Sequence, residues 1–176
     1  LASVSHEIRT PLSTIKGATY LLNKSSLSEE QRRFCSMIRD SGEHLLRIIN
    51  DILDLARIEA GQARLEEKEL SLKELVEKTV FGFELRAKRK GLELNTIYPS
   101  DLPLEIRADE GKLSQVLTNL VDNALKFTQQ GKVEVKLEKL ADLNIRLQVK
   151  DAGIGISEQR LSRIFEKFYQ VDGTSR

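Results

Sequence analysis

A single cysteine, Cys35, occurs in 176 residues, so the chain can form no internal disulfide and can assemble no cysteine-rich metal site. That usage fits a reducing compartment, and a cytoplasmic setting is expected. No apolar run approaches the roughly 18 to 20 residues needed to span a bilayer, and no stretch has the basic start, apolar middle and small-residue end of a secretory signal. An excess of one charge sign is missing as well: 28 lysines and arginines face 27 aspartates and glutamates, a formal net charge of +1. No overall field therefore draws the chain to nucleic acid or to an anionic membrane, and any polyanion it binds must be met locally. Internal repeats and low-complexity segments are also lacking. The first residue is Leu1 and already reads as helix. From this we expect a fragment of a longer protein, with any membrane anchor or sensing region upstream.

What is present is 40% hydrophobic and 31% charged residues, enough apolar material for one large core or two small ones. Residues 1–60 read as helix. Val4, Ile8, Leu12, Ile15 and Leu22 recur at three, four and seven, forming one stripe. His6 lies about 200° from Ile8 at roughly 100° per residue, so it is expected to face water or a partner, with Arg9, Thr10, Ser13 and Lys16 near the same side. Ser26 or Ser28, followed by Glu29 and Glu30, suits the start of a second helix. That helix carries two adjacent seams, Phe34, Ile38, Leu45, Ile48, Ile52 and Leu55 beside Leu46, Ile49, Leu53 and Ala56. One neighbouring helix covers one seam only. A lone hairpin would leave a long apolar stripe wet, which predicts a homodimer closing a four-helix bundle through residues 1–60.

Gly61 is a plausible helix stop, and 61–69 reads as a linker into a first strand. The period then changes. A helix over 72–90 ends in Arg86, Lys88, Arg89 and Lys90 before Gly91; this basic cluster is either helix-end electrostatics or a phosphate patch. Short strands are expected at 92–98 and 104–108, and a helix at 110–127 with Leu113, Val116, Leu117, Leu120, Val121 and Leu125 on its buried side. Strict alternation at 132–140 and 144–151 predicts a β-hairpin with one wet face. The expected architecture is therefore multi-domain: an all-α helical hairpin over 1–60, then an α+β two-layer sandwich over 70–176.

On the 110–127 helix, Asn119 and Asn123 stand four apart and share a face, with Lys126 one turn on. Neutral oxygen donors at that spacing suit magnesium, which binds few protein groups when phosphates supply the rest, and lysine can offset remaining phosphate charge. The same pair also suits a plain polar surface. The run DAGIGI, 151–156, leaves a strand and precedes a helix near Ser157. Its glycines fit either a turn or a backbone-lined binding loop, and Asp151 at the strand end can accept from an exocyclic amine such as that of adenine. Beside His6, Glu7 can hold one ring nitrogen protonated and leave the other as a nucleophile, although an exposed histidine can equally be ordinary surface. Pro11 removes an amide and crowds the carbonyl of Glu7, a local weakness in that helix. His44, beside Leu45, reads as structural or surface.

Four stretches in order resemble the signature boxes of bacterial sensor histidine kinases. SHEIRTPL at 5–12 is similar to their H box, QVLTNLVDNALKFT at 115–128 to their N box, DAGIGI to their first glycine box and RIFEKFYQVD at 163–172 to their phenylalanine box. The resemblance implies a dimerisation and phosphoacceptor domain followed by a GHKL-type ATP-binding domain. It implies that His6 is the phosphoacceptor, Glu7 its acid/base partner and Thr10 the residue that positions water for dephosphorylating a partner. It further implies that Asn123 is the magnesium ligand with Asn119 close by, that Lys126 meets phosphate and that Phe127 lies against adenine. Asp151 would bind the adenine amino group, and Gly153 and Gly155 would shape the pocket. Phe165 and Phe168 would border a lid over the nucleotide or, on the plainer reading, pack in the core. ATP and Mg2+ are the implied cofactors, and a response-regulator receiver domain is the implied partner. Family members continue into a lid and a second glycine-rich loop, so more protein is expected beyond Arg176. A docking module with a silent nucleotide site is the alternative to a kinase.

Overall fold

The computed structural model describes residues 2–99, 105–140, 144–166 and 169, with side chains from Ile8 onward. The chain divides into two compact units, Leu1–Arg64 and Leu65–Arg176. No helix among the described residues is long and apolar enough to cross a membrane.

The first unit is a helical hairpin of α1 (Ala2–Asn23) and α2 (Glu29–Glu59). Ser28 starts α2 with a reciprocal box: its hydroxyl accepts from the Gln31 amide at 3.2 Å, and the Gln31 side-chain oxygen accepts from the Ser28 amide at 2.9 Å. Gly61, at φ +65°, ends it, with the Gln62 amide donating to Arg57 O at 2.8 Å and the Gly61 amide to Ile58 O at 3.0 Å. α1 stays helical through Pro11, so the proline marks a lost amide within the helix and not an end to it.

Little of this unit is closed. Leu12 and Cys35 are buried, and Gly42 of α2 faces Leu12 of α1, where a Cβ would sit in ordinary contact at 3.5 Å from Leu12 Cδ2. Lys16 and Glu43 pair across the hairpin at 3.1 Å with both side chains largely wet, a contact of small energetic weight. Leu46, Ile49 and Leu53 are half-buried, whereas Phe34, Ile38, Leu45, Ile48 and Ile52 are exposed. Leu12, Ile15, Met37, Ile38 and Leu45 line an open groove floored by Ser41 and Gly42. His44 is exposed, as expected of a surface residue.

The second unit runs β1 (Lys68–Leu70), α3 (Leu72–Arg89), β2 (Glu93–Ile97), β3 (Ile106–Ala108), α4 (Glu110–Phe127), β4 (Lys132–Lys139), β5 (Ile145–Asp151) and α5 (Glu158–Leu161). β4 lies between β2, which it pairs in parallel, and β5, which it pairs antiparallel. The β4–β5 register sets Val135 opposite Val149, Leu137 opposite Leu147 and Val133 opposite Asp151. Val133, Val135 and Leu137 are fully buried against Val76, Leu117, Val121 and Leu125 of α3 and α4. Burying each such side chain contributes about 1.5–3 kcal/mol. The opposite sheet face carries charge pairs, Lys132 with Glu134 at 3.1 Å and Arg146 with Glu138 at 3.5 Å.

The strand expected at 104–108 is β3, which pairs antiparallel with β1 as a separate two-stranded ribbon; Leu104 lies outside the described residues. One sequence expectation needs correction. Val116 and Leu120 do not belong to the buried side of α4, being 54% and 42% exposed. They sit on the flank of the buried stripe made by Leu117, Val121, Ala124 and Leu125.

The basic end of α3 also has a definite role. Arg86 forms an ion pair with Asp122 of α4, and the Lys90 ammonium donates to Leu125 O at 2.6 Å and to Lys126 O at 3.4 Å. Gly91, at φ +68°, turns the chain out of α3, and the Leu92 amide closes the end on Ala87 O at 3.0 Å.

Candidate functional site

α4 is built from its N-terminus by Asp109. One carboxylate oxygen accepts from the Lys112 amide at 2.9 Å and the other from the Glu66 amide at 2.9 Å. Asp109 therefore caps the helix and ties it to the segment that leads into β1. These amide bonds, the one from Lys112 foremost, hold its carboxyl below the usual carboxylate range. Apolar periodicity puts the helix start at 110, and Asp109 precedes it as the cap. The signal was present, since an aspartate immediately before an apolar-periodic run is a cap.

With Leu117, Val121, Ala124 and Leu125 turned inward, helical geometry sends Asn119, Asn123 and Lys126 to the outer side, and all three are exposed. The Lys126 ammonium stands 5.0 Å from the ring centroid of the half-buried Phe127. An aromatic ring and a cation are thus paired at the last turn of the helix, two asparagine amides lying one and two turns before them. Their oxygen donors fit magnesium, which needs few protein ligands when phosphates and water complete its shell.

Asp151 ends β5 opposite the first buried residue of β4. Its Oδ1 accepts from the Gly153 amide at 2.8 Å, which turns the chain sharply and fixes the carboxylate. A Cβ on Gly153 would fall 2.7 Å from Asp151 Oδ1 and 2.7 Å from the carbonyl oxygen of Phe127. The absence of a side chain at Gly153 thus lets the loop after β5 close onto the end of α4. Phe127 and Asp151, far apart in sequence, are brought to one place. Gly155 takes φ +67° as the chain leaves this loop toward α5.

The remaining candidates fall as follows. His6 and Glu7 lie on the backbone of α1, with side chains outside the described residues. Thr10 is exposed on the same helix, and its carbonyl accepts from the Thr14 hydroxyl at 3.1 Å. Phe165 is 92% exposed, so core packing is not its role among the described residues; Phe168 lies outside them.

Residues 1–61 match the His Kinase A (phospho-acceptor) domain, and residues 108–176 match the Histidine kinase-, DNA gyrase B-, and HSP90-like ATPase family. The autoinducer 2 sensor kinase/phosphatase LuxQ of Vibrio cholerae is 41% identical over 178 residues, which take in 99% of this chain and 21% of the relative. The signal transduction histidine-protein kinase BarA of Escherichia coli is 40% identical, over 99% of this chain and 19% of its own length. The chain therefore spans about a fifth of the length of these curated relatives. Among solved structures, full-length ShkA in complex with AMPPNP matches with a TM-score of 0.80 and 38% identity, over 98% of this chain and 37% of that one. Histidine kinase ThkA in complex with the response regulator protein TrrA matches with a TM-score of 0.62 and 27% identity, over 96% of this chain and 49% of that one. With the two domain matches standing in the same order as the sequence boxes, the chain belongs to the sensor histidine kinases.

Proposed function

We propose that this chain is the catalytic core of a cytoplasmic sensor kinase region: it transfers the γ-phosphoryl group of ATP to His6, and from His6 to an aspartate of a response-regulator receiver domain. Residues 1–60 serve as the dimerisation and phosphoacceptor hairpin, 61–69 as linker and 70–176 as the ATP-binding domain. The observation that carries the reading is the closure of the Asp151–Gly153 loop on Phe127. It sets a carboxylate acceptor, one of whose oxygens is fixed by a backbone amide, next to the backbone of Phe127, and a carboxylate and an aromatic residue that meet at one loop suit the amino group and face of a purine.

Phe127 then supports the adenine, Asp151 accepts from its exocyclic amine, and Gly153 and Gly155 keep the loop free of side chains. Lys126 meets the phosphates. Asn123, with Asn119 beside it, would hold magnesium, which supplies charge neutralisation to the triphosphate. The unprotonated ring nitrogen of His6 attacks the γ-phosphorus in line; the N–P bond forms as the bond to the bridging oxygen breaks, and ADP leaves. Glu7 receives the proton of the other ring nitrogen as positive charge builds on the imidazole. In the second transfer an aspartate oxygen of the receiver takes the phosphoryl group and the N–P bond breaks. Thr10 orients water for hydrolysing the receiver's acyl phosphate. The likeness to ThkA, solved with a response regulator, supports the choice of partner.

The exposed seam of α2 and the groove beside Leu12 support a homodimer closing a four-helix bundle. The decisive test is incubation of the protein with ATP and magnesium. Acid-labile phosphate is expected on the unmodified protein and none on His6→Ala. Label retained in His6→Ala, or no label on a protein that binds ATP, would overturn the assignment.

A further inference from the structure

We infer that Lys90 is a positioning residue of the nucleotide site, acting on it through the last turn of α4. The inference rests on the nucleotide reading above and adds to it a residue outside every signature box. The last carbonyls of an α-helix have no amide partner within the helix. In α4 two of them, Leu125 O and Lys126 O, receive the Lys90 ammonium at 2.6 Å and 3.4 Å, from a residue 35 and 36 positions earlier in the chain. Lys90 is itself the C-cap of α3, so its stem starts from fixed backbone. One turn back on each helix Arg86 pairs with Asp122, so two cations of α3 grip the end of α4.

Two consequences follow for the site. First, the gripped turn carries Lys126 and Phe127, and the Phe127 carbonyl lies 2.7 Å from the position a Gly153 Cβ would take, with Asp151 Oδ1 at the same 2.7 Å. Lys90 thus holds one side of a contact whose other side is the Asp151 loop. Second, the C-terminal end of a helix carries about half a negative charge, which would oppose a polyanion placed near it. A full positive charge on those carbonyls cancels that repulsion at the turn where phosphates are to be met. Of the basic cluster, Arg86 and Lys90 are thus committed to protein oxygens.

The test compares the unmodified protein with Lys90→Met, Lys90→Gln and Lys90→Arg, measuring dissociation constants for MgATP and for adenosine together with thermal unfolding. Lys90→Met is expected to weaken MgATP about tenfold and adenosine about threefold. Lys90→Gln keeps a donor without the charge, and should therefore fold normally while still lowering the preference for MgATP over adenosine. Lys90→Arg should restore most of that preference. A loss of folding alone would leave the MgATP-to-adenosine ratio unchanged. An unchanged ratio in both Lys90→Met and Lys90→Gln, or in Lys90→Gln when Lys90→Met does not fold, overturns the inference and leaves the nucleotide reading intact. Failure of the unmodified protein to bind MgATP overturns the nucleotide reading, and the inference with it.

Discussion

Leu117 and Ile48 are both aliphatic residues on the apolar stripe of an amphipathic helix, yet Leu117 is 0% exposed and Ile48 is 41% exposed. The two units use their apolar residues in opposite ways. In the second, α3 and α4 cover one face of a short sheet, and the stripes centred on Val76 and on Leu117 and Val121 close within the unit, while Phe81, Leu85, Val116 and Leu120 beside them stay exposed. In the first, a helix with two seams has one neighbour, and one seam stays open. Local pattern is nearly the same in the two cases; what differs is how many neighbours a single chain supplies. An open seam of that length is what the proposed homodimer would cover.

The largest effect that would sharpen this contrast is Leu117→Ala. Because Leu117 is fully buried in the core, its truncation is expected to cost about 2–5 kcal/mol in unfolding of the second unit. A measured loss below about 1 kcal/mol would show the sandwich to be loosely packed and break the comparison. Next comes Ile48→Glu, which should leave unfolding of the sandwich unchanged while shifting the protein from dimer to monomer, read as molar mass by light scattering. A dimer of undiminished mass would show that this seam is not the interface.

The smallest effect separates two helix caps. Ser28 caps α2 with a neutral hydroxyl, whereas Asp109 caps α4 with a carboxylate that backbone amides hold below its ordinary pKa. A depressed folded-state pKa stabilises fully above the unfolded value, 3.8 for an ordinary aspartate, and that stabilisation is lost as pH falls through the lower, folded one. Acidification from pH 5 downward should therefore weaken the sandwich through Asp109. Its unfolding free energy should show a shallower pH slope in Asp109→Asn, and identical slopes would mean that the cap titrates as it does in the unfolded chain.

Helices were the most legible part of the fold. The expected 110–127 helix is α4 to the residue, and Ser28 and Gly61 do bound α2. Alternation at 132–140 and 144–151 gave the β4–β5 hairpin because period two survives wherever one face is wet and the other buried. Pairing was not legible: nothing in a three-residue strand such as Ile106–Ala108 says which neighbour it will bond, and it went to β1. In the site, Asn119, Asn123, Lys126, Phe127 and Asp151 were all named from spacing or from the family boxes. The reason Gly153 must be glycine was hidden, since it is set by a carbonyl in another element. The pattern of α3 marks Lys90 as a cation at the end of its own helix, whereas the carbonyls it serves belong to α4.

By itself, then, the sequence determined the elements, the order of the chemical boxes and the shared face on which the two asparagines would fall, because helix and strand periodicities are properties of neighbours along the chain. Tertiary structure alone decided that Phe127 and Asp151 share one place, that α3 fastens the end of α4, and that one stripe closes while the other stays open. Each of those outcomes depends on distances between elements, which are set by packing and by the number of surfaces available to bury.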